Sequence, residues 1–168
     1  NVVNYGINKY TYTGDIMEYK RINLDYNSLE PYIDNKTLDL HYNAHYKGYT
    51  DNLNKYLKKH NYNYEHDPIY LAKNIDILPM EDRDEILFNL GGYLNHSLYF
   101  YILTDKKKSI PAPFIEIINK NFISFDNFKS EFIEMASTLK GSGYTFLVLD
   151  RNNKLRIINT SNQDTPYY

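Results

Sequence analysis

The stretch LHYNAHYKGY, residues 40–49, decides how the chain is interpreted. It places His41, His45 and Tyr49 at successive spacings of four residues, so in a helix their side chains lie one turn apart on a single face. Such a face suits either of two roles. It can be the semi-polar inner side of a packed helix, or a site where imidazole and phenol groups do chemistry.

Apolar residues predict two long helices in the first part of the chain. They recur at three- and four-residue steps over residues 34–59, and again over residues 81–103. The polar residues 60–68, which end in a proline, predict a loop between them. This part of the chain is therefore expected to be helical.

The second long helix carries unusual residues in its middle. Gly91 and Gly92 each cost roughly 1 kcal/mol compared with Ala in a helix, so close packing against a neighbour is expected to need the space. One turn later, His96 lies on the apolar side of the helix. A buried imidazole needs a partner for both ring nitrogens, and a metal ion is one way to provide it.

The second part of the chain combines helices with a hairpin. Apolar positions predict helices over residues 113–121 and 124–139, with Ser124 as the N-cap of the latter. Residues 144–149 and 154–160 are rich in strand-forming residues, and the polar residues 150–153 suit a hairpin turn. The predicted fold class is α+β, with an antiparallel hairpin last. Residues 1–28 show no sustained helical period and predict an extended arm.

Composition excludes several classes of function. The net charge of −2, with acids and bases interspersed, argues against nucleic acid as a partner. No apolar run approaches the roughly 20 residues that a membrane-spanning helix needs. The chain has no Cys, so any metal must be held by His and carboxylate side chains. We expect a protein of the cytoplasm or of an organellar matrix.

Four blocks of sequence resemble the iron/manganese superoxide dismutase family in their order and spacing. They are LEPYIDNKTLDLHYNAHYKGYTDNLN (29–54), NLGGYLNHSLYF (89–100), GSGYTFLVL (141–149) and KLRIINTSNQDTP (154–166). The resemblance covers residues 24–166. It implies a long α-hairpin lobe over residues 29–106 and an α/β lobe with a small antiparallel sheet over residues 107–168, following the arm.

The resemblance also implies roles for particular residues. His41 and His96 match two of the family's metal ligands. His45 and Tyr49 match outer-sphere residues that line the path of the substrate and relay protons. What these matches imply is a superoxide dismutase, which converts superoxide to oxygen and hydrogen peroxide at a single redox-cycling Mn or Fe per subunit, held between the two lobes. A homodimer or homotetramer is expected.

One further match suggests the manganese type. Gln163 matches the glutamine that hydrogen-bonds the solvent on the metal in manganese-type members, whereas Gly92 stands where iron-type members often carry that glutamine. The small residue at 92 would leave room for a side chain arriving from the hairpin. The type of motif does not fix which metal is loaded, because affinity and supply differ between metals.

The chain departs from the family at its end. The family completes its metal site and its sheet with a DxWxHAYY segment, which supplies an Asp and a His, whereas this chain stops at Tyr168. We expect the native chain to continue beyond that residue. An alternative is a catalytically inactive, dismutase-like structural subunit of a larger assembly, such as a mitochondrial ribosome. A third possibility is a zinc-binding module that uses His41 and His45.

Overall fold

The computed structural model describes residues 18–62 and 66–167, which belong to two compact units. The first unit comprises the described residues up to Asp105 together with Tyr167, and the second comprises Lys106–Pro166. Residues 1–17 of the predicted arm lie outside the described residues. Residues 18–28 contain neither helix nor strand.

The first unit is helical. Its elements are α1 (Asn35–Leu40), a π-helix, π1 (His41–Tyr46), α2 (Lys47–Lys59), α3 (Pro68–Lys73), two 3-10 turns (Ile75–Ile77 and Met80–Asp82) and α4 (Arg83–Ile102). Asp34 caps α1 by accepting a hydrogen bond from the Thr37 N–H at 2.9 Å. Both predicted long helices are present, the first as the continuous run α1–π1–α2.

The core of this unit lies where α2 and α4 pack side by side. Its fully buried members include Tyr46, Leu53, Leu57, Leu71, Ile86, Leu90 and Phe100. Within π1, Tyr42 is half-buried and packs against this core, whereas His45 is exposed. Residues 41–46 form i→i+5 hydrogen-bonded turns, in which side chains five residues apart share a face, so the α-helical period does not describe this stretch.

Tyrosine hydroxyls attach the segment before α1 to the helices. Tyr42 donates a hydrogen bond to the Ile22 carbonyl at 2.6 Å, and Tyr93 donates to the Lys20 carbonyl at 2.9 Å. Tyr26 in turn donates to the Phe100 carbonyl at 3.3 Å. These contacts join residues far apart in sequence, so the segment is part of the folded core.

The second unit is a pair of helices followed by a hairpin. Its elements are α5 (Ala112–Phe122), α6 (Phe125–Ser137), β1 (Gly143–Leu149) and β2 (Leu155–Ser161). Ser124 accepts a hydrogen bond from the Asn127 N–H at 3.0 Å, as expected for an N-cap. The strands pair antiparallel, with Gly143 opposite Ser161.

Two features fix the ends of the hairpin. At the turn, the Asp150 carboxylate accepts hydrogen bonds from the N–H groups of Asn152 and Lys154 at 2.8 and 2.9 Å. At the open end, a Cβ added to Gly143 would overlap the backbone carbonyl of Thr160, so glycine is required there.

The α+β prediction is confirmed. Of the described helices, none combines the length and hydropathy needed to cross a membrane.

Candidate metal centre

His41 of π1 and His96 of α4 meet inside the first unit. Their ring centroids are 4.9 Å apart and their planes lie at 76°, so the edge of one imidazole faces the other. Phe100 lies beside both, with its ring centroid 5.0 Å from His41 and 6.4 Å from His96. Two imidazoles on different helices are thus brought together against an apolar wall.

The surroundings of His96 set its protonation. Its side chain is 3% exposed, and its Nδ1 lies 2.7 Å from the Gly92 carbonyl oxygen. Because a carbonyl can only accept, Nδ1 carries the proton and Nε2 carries the lone pair. Burial lowers the pKa of His96 to about 4, with the Gly92 bond opposing and the neighbouring histidines adding to the shift. The ring is therefore neutral at neutral pH, which is the form that binds metals.

His41 is also favoured in its neutral form. Burial lowers the pKa of this half-buried imidazole, and the nearby charge of His45 lowers it further. Two neutral imidazoles are a donor set that transition metals such as Mn and Fe accept. In the ranges that the structure describes, no Asp or Glu completes a set of three ligands with His41 and His96. These two residues therefore fit as part of a ligand set that also needs a carboxylate.

Tyr49 occupies the space beside Gly92. Its ring centroid lies 5.1 Å from that of His96 and 5.7 Å from that of Phe88. A Cβ added to Gly92 would overlap Cγ and Cδ1 of Tyr49 and come within 2.9 Å of its Cδ2. The Tyr49 ring thus lies where a side chain at position 92 would begin, which gives a physical reason for a glycine there.

The other two predicted site residues are His45 in the first unit and Gln163 in the second. His45 is exposed, and its ring centroid is 6.2 Å from that of His41. A zinc-binding module would pair His41 with His45, but the His96 imidazole lies closer to His41 than the His45 imidazole does. Gln163 is half-buried and follows β2 in the second unit.

Sequence reasoning missed Tyr46. This residue is fully buried, and its ring is nearly parallel to the His96 imidazole, with 5.8 Å between centroids and 17° between planes. Five residues after His41, it would lie about 140° away around an α-helix. In the i→i+5 turns of π1 it comes to the same side instead. A helical period alone carries no signal of this kind.

A second group of possible ligands lies on the surface of the first unit. Ligand atoms of His60, Glu81 and Asp82 all lie within 4.8 Å of one another. However, the Lys59 ammonium lies 2.5 Å from an Asp82 oxygen and 3.3 Å from a Glu81 oxygen. The lysine already forms ion pairs with both carboxylates, so the group is best described as an ion-pair cluster.

The protein is therefore an α+β protein in which two neutral imidazoles from different helices face each other within the first unit. Residues 17–104 match the family pattern "Iron/manganese superoxide dismutases, alpha-hairpin domain", and residues 111–168 match "Iron/manganese superoxide dismutases, C-terminal domain". The chain belongs to the iron/manganese superoxide dismutase family. The resemblance seen in the sequence is thereby confirmed, and it makes the chain an oxidoreductase with Mn or Fe as its cofactor.

Individual relatives agree with this assignment. The chain is 41% identical over 135 residues to the superoxide dismutase [Mn/Fe] of Streptococcus acidominimus, covering 80% of this chain and 92% of the relative. It is 37% identical to superoxide dismutase [Mn] 1 of Leptolyngbya boryana and 36% identical to superoxide dismutase [Mn] of Haemophilus ducreyi, each over 84% of this chain. The matches span 58% and 65% of those two relatives.

Proposed function

We propose that His41 and His96 are two ligands of one manganese or iron ion, and that Tyr49, His45 and Gln163 serve the dismutation of superoxide around it. The observation that carries the proposal is the meeting of two neutral imidazoles from different helices, 4.9 Å apart. When bound, the metal supplies the one-electron redox couple through which two superoxide ions and two protons give oxygen and hydrogen peroxide.

The protein itself fixes the protonation state of the two histidines, without any metal. The Gly92 carbonyl holds the Nδ1 proton of His96, so Nε2 is the nitrogen that would bind. Burial keeps both rings neutral, so no proton has to leave them on binding. The apolar wall of Phe100 limits the water around them. A carboxylate is expected to join them as a further ligand.

Tyr49 and His45 are proposed to handle protons. The Tyr49 ring is confined between His96 and Phe88, which places a phenol donor next to the ligands without adding charge. His45 is exposed and lies 6.2 Å from His41, so it can exchange protons with solvent. In this proposal protons enter through His45, and Tyr49 holds the donor closest to the substrate.

Gln163 is proposed to act on the solvent at the metal, which makes the site manganese-like. Support for this role comes from residue identity: Gln163 follows the hairpin, and position 92 is a glycine. A side-chain amide can donate and accept, so it can tune the acidity of a neighbouring solvent molecule. A location of the metal between the two lobes and a homodimer or homotetramer belong to the same proposal.

Two substitutions in the full-length protein test the proposal. His96→Ala is expected to remove both metal and dismutation, because a ligand is lost. Gln163→Ala is expected to keep the metal and change the rate. The measurements are the Mn and Fe content per folded chain and the superoxide dismutation rate. His60→Gln, on the surface cluster, is the matched control and should retain both. Wild-type metal content and activity in His96→Ala would overturn the assignment of this ligand.

A further inference from the structure

Tyr46 has no role in the proposed chemistry, yet its ring is packed against a proposed ligand. The ring lies nearly parallel to His96, at 17°, and to Phe100, at 18°, with centroid distances of 5.8 and 5.7 Å. His96 and Phe100 are one turn apart on α4, so the Tyr46 ring lies alongside both side chains. Tyr42 meets the same ring edge-on at 5.8 Å.

The hydroxyl of Tyr46 is anchored on two sides. It lies 2.6 Å from Ser97 Oγ, and the Ile22 N–H donates to it at 3.2 Å. Ser97 donates its own proton to the Tyr93 carbonyl at 2.6 Å, so the Tyr46 O–H must be the donor to Ser97. With its hydroxyl held by α4 and by the segment before α1, the ring cannot swing away from His96.

The Gly92 carbonyl and the Tyr46 ring restrain His96 in different ways. The hydrogen bond from Nδ1 to the Gly92 carbonyl fixes which nitrogen carries the proton. The Tyr46 ring, nearly parallel to the imidazole and held by its hydroxyl, limits rotation of the imidazole plane. We propose that Tyr46 is a positioning residue that holds the His96 imidazole in the plane required for metal binding, an inference that rests on the proposed role of His96 as a ligand.

The consequence is a specific effect on metal affinity. Changes to the groups that orient a metal ligand typically cost about 10- to 100-fold in affinity. Tyr46→Phe keeps the flat ring but loses the hydroxyl anchor, so its Mn²⁺ affinity is expected to lie between that of the wild type and those of the two variants without the ring. Tyr46→Leu and Tyr46→Met remove the flat wall and are expected to weaken Mn²⁺ binding by about 10- to 100-fold.

The test is an Mn²⁺ titration of the full-length protein against a competing chelator, at a temperature where circular dichroism shows each variant folded. The electron paramagnetic resonance spectrum of bound Mn²⁺ is the second readout, because it reports the geometry of the ligands. Tyr26→Leu is the matched control: Tyr26 is also buried, at 4% exposure, and its hydroxyl bonds to the Phe100 carbonyl. It is expected to lower the melting temperature while leaving affinity and spectrum unchanged.

The outcomes separate two failures. If Tyr46→Leu or Tyr46→Met, whichever folds, has the wild-type affinity and spectrum and differs only in melting temperature, Tyr46 is a packing residue and the inference is wrong. His96→Ala is titrated in parallel. If it too binds Mn²⁺ like the wild type, the ligand role of His96 fails. If it loses Mn²⁺ while the Tyr46 variants do not, only the positioning role fails.

Discussion

Gly92→Ala is expected to destabilise the protein through one identifiable neighbour. The new Cβ would overlap Cγ and Cδ1 of Tyr49 and lie 2.9 Å from its Cδ2. Carbon atoms prefer about 3.5 Å, so even Cδ2 is about 0.6 Å too close and the ring must shift by more than that. Overpacking of this kind costs about 1–3 kcal/mol, whereas Ala improves helix propensity by about 1 kcal/mol. The expected net loss in free energy of unfolding is about 0–2 kcal/mol.

A double-mutant cycle isolates this contact. In a Tyr49→Ala background the overlapping ring is gone, so Gly92→Ala is expected to stabilise the protein by about 1 kcal/mol, reversing the sign of its effect. In a Tyr49→Phe background the ring is present and the loss is expected to persist. Urea unfolding of the six proteins gives the free energies.

The same cycle has an activity readout and a clear refutation. A Tyr49 ring displaced by close to 1 Å is expected to lower the dismutation rate, by as much as about 100-fold. Metal content should be unchanged, because the backbone carbonyl of residue 92 still accepts the hydrogen bond from His96 Nδ1. An equal loss of stability from Gly92→Ala in the wild-type and Tyr49→Ala backgrounds would refute the reasoning, since the strain would then lie with another neighbour.

Three further outcomes are expected. Ser124→Ala should cost about 1 kcal/mol in urea unfolding by removing the N-cap of α6, and Ser124→Asp should restore most of it. Gly143→Ala should lower the free energy of unfolding more than Gly92→Ala does, because the new Cβ meets the backbone carbonyl of Thr160 rather than a side chain that can rotate. The measurement is amide hydrogen exchange, which should become faster in β1 if strand pairing is disrupted. In the metal-free protein, the pKa of His96 is 6.5 in the unfolded state but about 4 in the folded state, so between these pH values only the unfolded state binds the proton. The free energy of unfolding should therefore fall by up to ~3 kcal/mol as the pH is lowered from 6.5 to 4. A His96→Gln variant with the same pH dependence would contradict this.

Local patterns predicted most of the secondary structure. The helix predicted over residues 81–103 is found as Met80–Asp82 and Arg83–Ile102, since its apolar period and its flanking turns are local features. The hairpin was predicted to within a residue of each strand end because the turn chemistry of Asp150 is also local. The N-cap at Ser124 follows from the same logic.

Two features could not be read from local patterns. The wider turns of π1 come from its i→i+5 hydrogen bonds, and the α-helical period used to predict this helix does not distinguish them. The tyrosine contacts with residues 18–26 join positions up to 74 apart in sequence, and no local rule predicts them. The site shows the same limit. The pairing of His41 with His96 came from the family resemblance, and the burial of Tyr46 against His96 was seen only in the fold.

The π-helix also makes this part of the chain sensitive to its length. Each of its turns contains one residue more than an α-helical turn, and one residue corresponds to about 100° of rotation. Deleting the exposed Ala44 would take out that additional residue, so residues 41–46 could close as an ordinary α-helix while His41 and Tyr49 keep their relative directions. Inserting a residue there has no such relief and would turn His41 by about 100° relative to Tyr49. A sequence comparison would then find every site residue present in a protein whose first proposed ligand points elsewhere, so insertions in residues 41–46 are expected to be more damaging than deletions.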